Sequence, residues 1–440
     1  MAAARSILPA VVALAAPAIA FAQDAEAAIV SRDLGGGVQA RLIDISLDVL
    51  TAVGTSTAEV DGESSGEAIE SLQGGAHDPD RRGFTFQQAE VSMAGAVDPY
   101  LKGEGHFIIA EDGLELEEAF AATTSLPADL QLKAGFFFTE FGRVNARHPH
   151  DWRWQDQPVI ASRLMGGEGT RGPGARVSWL TPLPWYSAIL VGVQNADHET
   201  MASFRGEAGG HHGEEVEGPE TTIGGRPAAD GLDVHSLADL LYLARWENAA
   251  DVDRVTTKGG VSALYGPNRS GRDGETLIYG ADVAVKWTAP DAIQGYPFVL
   301  IEAEAMKRDY DAAEGEFDPD DAVPGDEVAL PGDRLEDWGF YAQGLWGFTR
   351  GWAAGLRYDY AAADGDSFSV DDAAFVDAAD DEARNDRHRL SPLVIWNPSH
   401  FARIRLQYNY DRADHLVDDE AHSVWLGCEF LIGAHPAHRF

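Results

Sequence analysis

Polarity alternates residue by residue along much of this 440-residue chain, and no other feature restricts the fold as strongly. Ile43, Ile45, Leu47 and Val49 interleave with Asp44, Ser46 and Asp48, a period of two that belongs to a strand with one apolar and one polar face. The pattern returns at 130–138, 176–180, 277–287, 338–348, 401–410 and 423–430. Helical periodicity of comparable length does not accompany it, so the expected fold class is all-β.

Turn chemistry divides these runs into hairpins of two kinds. Short turns fall at 98–99, 125–127, 181–184, 248–251, 289–295, 350–351 and 397–399. Long connections alternate with them near 51–82, 140–172, 197–236, 266–274, 311–334, 363–383 and 411–420, with one brief member at 111–113. About sixteen strands result, roughly 38–50, 83–97, 99–110, 114–124, 129–139, 173–181, 184–196, 237–248, 253–266, 275–288, 296–310, 335–349, 351–362, 386–396, 400–410 and 421–432. An even strand number with short turns at one end and long loops at the other marks a transmembrane antiparallel β-barrel, its turns and both chain ends periplasmic. A soluble sandwich or propeller would not sort its loops by parity.

The N-terminus agrees with export. Arg5 precedes an apolar run, 7–19, too short to span a bilayer as a helix, and it closes on Ala20-Phe21-Ala22, a small-x-small cleavage pattern. The expected division is a signal peptide over 1–22 and an outer-membrane barrel over 23–440. The lone cysteine, Cys428, cannot form an intramolecular disulfide, so stability in an oxidising compartment must come from elsewhere, and a closed barrel without edges supplies it. Acidic residues outnumber basic ones 72 to 33, and the resulting charge of −39 excludes a nucleic-acid partner. Trp185, Tyr186, Tyr242, Trp246, Trp287, Tyr296, Trp338, Trp346, Trp352, Tyr408 and Tyr410 fall where strands should cross the headgroups, as an aromatic girdle does. The terminal Phe440 is of the kind the barrel assembly machinery reads, although 433–438 interrupts the strand before it.

Candidate functional residues lie in the lumen and the long connections. Alternation turns Arg403, Arg405, Gln407 and Asn409 inward, with Arg357 and Asp359 on another strand and Glu302 and Glu304 on a third. Such a mixed-charge interior suits a water-filled channel or cross-lumen ion pairs that brace the wall. Histidines cluster outside the strands: His148 and His150 with Asp151; His198, His211, His212 and His235 with Glu214, Glu215 and Glu217; and His435 with His438. Imidazole and carboxylate together suit zinc and related ions, so transient Zn2+ is the expected ligand and no resident cofactor is required. Acidic runs at 311–334 and 363–383 would solvate the outer face or gather cations at a pore mouth. The segment 141–158, rich in Trp, Arg and His, either folds into the barrel or packs as an external lid. No nucleophile elbow, His-Glu-x-x-His or phosphate loop is found, so an enzyme is not expected.

At Val97-Asp-Pro-Tyr100, Glu117-Glu-Ala-Phe120, Lys133-Ala-Gly-Phe136, Phe141-Gly-Arg143, Asn145, His148-Pro-His150, Arg405-Leu-Gln-Tyr408 and Gly433-Ala-His435, the chain resembles bacterial outer-membrane proteins labelled zinc-regulated TonB-dependent receptors. That resemblance implies an outer-membrane barrel with a part in metal uptake. A TonB-dependent transporter needs about 22 strands around a plug, and the sequence before the second strand has no room for one. The expected function is therefore a porin-like channel or receptor assisting uptake of small cations, zinc included, by passive or facilitated diffusion. A non-conducting barrel with partner-binding loops is the alternative, and the sequence leaves the oligomeric state open.

Overall fold

Alternating residues can satisfy every backbone group in a bilayer only if the strands close on themselves. In the computed structural model they do. Residues 30–33, 39–60, 62, 64–111, 113–206, 220–232, 234–319 and 327–434 are described. The strands are β1 (Val30–Asp33), β2 (Gln39–Ser56), β3 (Gly83–Asp98), β4 (Leu101–Ile109), β5 (Leu114–Thr123), β6 (Leu130–Phe138), β7 (Arg171–Leu180), β8 (Tyr186–Asn195), β9 (Leu240–Val252), β10 (Val255–Pro267) and β11 (Glu275–Ile293). They continue with β12 (Tyr296–Ala312), β13 (Gly315–Phe317), β14 (Val328–Leu330), β15 (Asp333–Thr349), β16 (Trp352–Asp364), β17 (Ser367–Ser369), β18 (Ala374–Val376), β19 (Arg387–Ser399), β20 (Ala402–Ala413) and β21 (Glu420–Gly433).

Sixteen of these form the wall: β2 to β12, β15, β16 and β19 to β21, each antiparallel to its neighbours. The ring closes between β2 and β21, from Ser46 opposite Gly433 to Ser56 opposite Ser423. The short strand β1 pairs with the start of β2, while β13–β14 and β17–β18 are small hairpins within long connections. The expected signal peptide and terminal Phe440 lie outside the described residues.

Several strands outrun their expected ends. β2 reaches Ser56 rather than residue 50, because Gly54 leaves room for the inward Trp425 ring of β21 and this small-residue stretch stays paired. The outer face is apolar, with Val191, Val261, Ile301, Leu356, Leu406 and Leu426 exposed to what would be lipid. Trp185, Trp287, Trp346, Trp352 and Trp396 are exposed beside the short turns, and Trp352 stacks on Trp396 at 5.6 Å. Cys428 is free and faces outward.

The lumen is filled rather than open, and the filling comes from the connection between β6 and β7. Of the two placements open for 141–158, the inward one is found. Its helix, Val159–Met165, buries Ile160 and Leu164 against Leu243, Leu264, Ile278, Met306 and Tyr341 of the wall. Each such side chain contributes about 1.5–3 kcal/mol, which explains apolar residues on an inward face that a water-filled pore would keep polar. The expected lumen residues do point inward, but they meet this connection instead of water. Arg143 bonds Glu302 at 2.6 Å, the Glu304 carboxylate accepts from the Arg143 backbone N–H, and Arg405 donates to the Trp154 carbonyl. Asp156 accepts from four donors: Arg357 at 2.8 Å, Gln407 at 2.7 Å, Arg389 at 3.0 Å and Asn409 at 2.8 Å. Arg357 also bonds Asp359 at 2.8 Å.

Removing one partner of a buried ion pair costs about 3–5 kcal/mol because the other charge is stranded. Asp156→Ala should therefore lower thermal stability by that order and loosen the inserted connection. Melting followed by circular dichroism, with single-channel conductance in planar bilayers, checks both effects: the melting temperature should fall and the conductance rise.

Candidate metal centre in the lumen

A regular strand sends neighbouring side chains to opposite faces, so two adjacent carboxylates cannot both enter a lumen. β5 avoids this with a bulge. His106 of β4 pairs with Glu118 and Phe107 with Leu116, leaving Glu117 as the extra residue. Both Glu117 and Glu118 are consequently buried inside the barrel, which is how bulges re-aim side chains beside functional sites. β3 contributes Glu90, opposite Asp48 of β2, and the inserted connection lowers His148 and His150 onto this wall.

The resulting centre is dense. His148 Nδ1 lies 2.7 Å from Glu117 Oε2 and 3.2 Å from Glu90 Oε1, and its Nε2 lies 2.9 Å from Glu118 Oε2. His150 Nδ1 is 2.7 Å from Glu90 Oε2, and His106 Nδ1 is 3.0 Å from Glu90 Oε1. Ser92 Oγ donates to Glu90 at 2.6 Å, and the Phe138 N–H donates to Glu118 at 3.0 Å, so both carboxylates are held in place. The ring centroids of His106 and His148 are 4.5 Å apart.

Two overlapping triads have ligand atoms within 4.8 Å of one another: Glu90, His148 and His150, and His106, Glu118 and His148. Tetrahedral zinc, with bonds of about 2.0–2.1 Å, spaces its ligand atoms about 3.3 Å apart, so small side-chain shifts would serve. A neutral imidazole has one N–H and can donate at one nitrogen only. His148 faces carboxylates at both, so it either carries two protons or shares a lone pair with a cation. Its Nδ1 and Glu117 Oε2 lack a hydrogen-bond partner despite their proximity. Three carboxylates against a dication leave one negative charge, and Lys133, 3.4 Å from Glu118, offsets it.

The other expected ligands are not gathered. His198 packs edge-on against Phe136 at 4.8 Å and bonds Thr200, while the backbone N–H of His235 donates to Asp239. His211, His212, His435 and His438 lie outside the described residues, so only His148 and His150 of the expected histidines are seen to converge with acids. Glu90, His106, Glu117 and Glu118 escaped the ligand reading. The signal that could have found them is the break of alternation at the polar pair Glu117-Glu118, repeated at Gln87-Gln88, where a second bulge lies on β3.

The sequence matches no family model. It is 28% identical over 373 residues, 82% of this chain and 71% of the other, to an uncharacterized protein of Aquifex aeolicus (strain VF5). The outer membrane channel DcaP of Acinetobacter baumannii superposes with a TM-score of 0.52 at 13% identity, covering 89% of this chain and 97% of that one. Pseudomonas putida OprB gives a TM-score of 0.47 at 10% identity, covering 89% and 94%. The chain thus has a porin-type fold, a closed barrel of sixteen antiparallel strands. That wall is smaller than the about 22 strands of a TonB-dependent transporter, and a connection between strands fills it.

His148 and His150 sit on the connection, not on a spanning strand. Burial pushes the His150 imidazole down, but the Glu90 carboxylate more than reverses this and raises it to about 9. Glu117 and Glu90 likewise overcome burial at His148 and hold it well above the usual range. A raised folded value stabilises fully below the unfolded value of about 6.5 and is lost as pH rises through the folded one. Without metal, this contribution to the melting temperature should be full below about pH 6.5 and decline from there through about pH 9. In His150→Gln that decline should shrink, as thermal melts across the range will show.

Proposed function

We propose that this protein is a porin-type outer-membrane channel of small conductance that passes small cations, zinc among them, through the His–Glu centre by passive or facilitated diffusion. The observation that carries this reading is His148, whose two ring nitrogens each face a glutamate inside a barrel otherwise packed by its own connection. A hydrated ion loses water in so narrow a lumen, and ligands of imidazole and carboxylate replace it best for zinc and its neighbours. The resemblance to zinc-regulated outer-membrane proteins points the same way. Acidic loops raise the cation concentration at the mouth, and His211, His212 and His235 add weak capture there; His198, turned against Phe136, is not counted.

A non-conducting barrel is the second reading, favoured by the saturated contacts around Asp156. Bilayer recordings separate the two. With zinc and potassium on opposite sides, the reversal potential should show preference for zinc, and Glu90→Gln should weaken zinc binding and preference by about tenfold or more, as loss of a ligand or its support does. A sealed barrel or an anion preference would overturn the proposal.

A further inference from the structure

The centre does not stand alone. Above it, toward the long-loop end that faces outward in bacterial barrels, His77 belongs to the connection between β2 and β3 and Glu168 to the one between β6 and β7. His77 Nε2 lies 3.4 Å from Glu168 Oε2, which also accepts from the buried Arg171 guanidinium at 3.0 Å; His77 is buried, and its Nε2 makes no hydrogen bond of good geometry. A small cavity of about 10 Å3 is lined by His77, Glu168 and Glu117, and Glu117 is already a neighbour of His148.

That cavity shares lining with one larger cavity, and a second large cavity lies on the far side of the centre. Gly167 is shared with a cavity of about 620 Å3 at the long-loop end, which also touches Gly74, Ala76 and Gly166. On the short-turn side, His150 lines a cavity of about 560 Å3 together with Asp48, Arg403 and Glu429. Imidazole and carboxylate therefore alternate from one cavity to the other: His77 with Glu168, then Glu117, His148, Glu90 and His150.

The outer cavity does not repel a cation as a whole. Arg163, Arg308, Arg384 and Arg387 line it, but Asp337 pairs with both Arg308 and Arg384, and Asp380, Asp381 and Glu382 line the same space. Four positive charges thus meet four negative ones. Across the centre itself the packed wall offers no comparable string of ligands among the described residues.

We infer that His77 and Glu168 form an outer metal station that hands a divalent transition-metal ion to the centre through Glu117, so that the ion crosses the barrel from ligand to ligand. This rests on the proposed function above. Each transfer exchanges one donor for the next within the same coordination sphere, with no oxidant, reductant or covalent step.

The test uses the full-length protein in detergent and in liposomes, with Co2+ alone as the probe, read by its visible absorption and by stopped-flow loading. Wild-type protein should load the centre, and His77→Ala and Glu168→Gln should slow loading and liposome influx by about tenfold or more, with the heat-dependent gel shift of a folded barrel retained. His77→Gln, closer in shape, covers a failure of the alanine variant to fold. Loading as fast in all three variants as in wild type would overturn the outer station while leaving the centre intact. Absence of Co2+ absorption in wild type would overturn the channel reading itself, and the station with it.

Discussion

One carboxylate, Asp156, decides what kind of barrel this is. A sixteen-stranded wall left to itself encloses water. Here Asp156 projects from a connection into the middle of that wall, and its two oxygens take donors from β16, β19 and β20. Transferring one carboxylate and two guanidinium groups out of water is costly unless all their hydrogen bonds are made. The arrangement meets that condition: Arg389 also binds Asp411 at 2.5 Å and the Leu72 carbonyl at 2.7 Å, and Arg357 also binds Asp359. The rest of the filling follows from this anchor, since it fixes Trp154 on one side and the Val159–Met165 helix on the other.

The same anchor sets the height of the histidines. His148 and His150 precede Asp156 by a few residues in a connection pinned also by Arg143 to Glu302 and by Arg403, which donates to the carbonyls of His150 and Trp152. Imidazoles on a free external loop would find carboxylates only transiently. Held from both ends, they are presented to β3 and β5 at fixed distance, which is the preorganisation that metal ligation demands. Wall and connection supply complementary halves of the proposed ligand set.

Much of this is legible in the sequence. Period-two alternation and the parity of loop lengths gave the all-β class, the strand count and the inward set Glu302, Glu304, Arg357, Asp359, Arg403, Arg405 and Gln407, because these depend on local geometry alone. The Trp, Arg and His content of 141–158 marked it as packed, but composition could not say on which side of the barrel mouth. That choice depends on Asp156 meeting Arg357 and Arg389, residues some two hundred positions away. Grouping histidines by closeness in sequence favoured the 197–236 connection. The structure gathers ligands instead by cross-strand register, which no single segment reveals, and by a bulge that strict alternation would have read as one glutamate facing lipid.

The two walls of the lumen differ in a way that separates scaffold from site. The four groups that donate to Asp156 are well placed. On the β3–β5 side, His148 is crowded by three glutamates, its Nδ1 lying 2.7 Å from Glu117 Oε2, and Asp48 leaves one oxygen unmatched nearby. Burying so many ionisable groups together is costly, an expense that packing alone gives no reason to keep. Replacing Glu117 by an apolar residue would remove part of it and spare β5 its bulge. Natural chains hold local conflicts of this sort where function requires them, and this one is built of imidazole and carboxylate atoms that can ligate a metal ion. The ion pairs around Asp156 offset the cost of the charged cluster at His148, and the inserted connection, bonded to both, is what lets a single barrel carry the two.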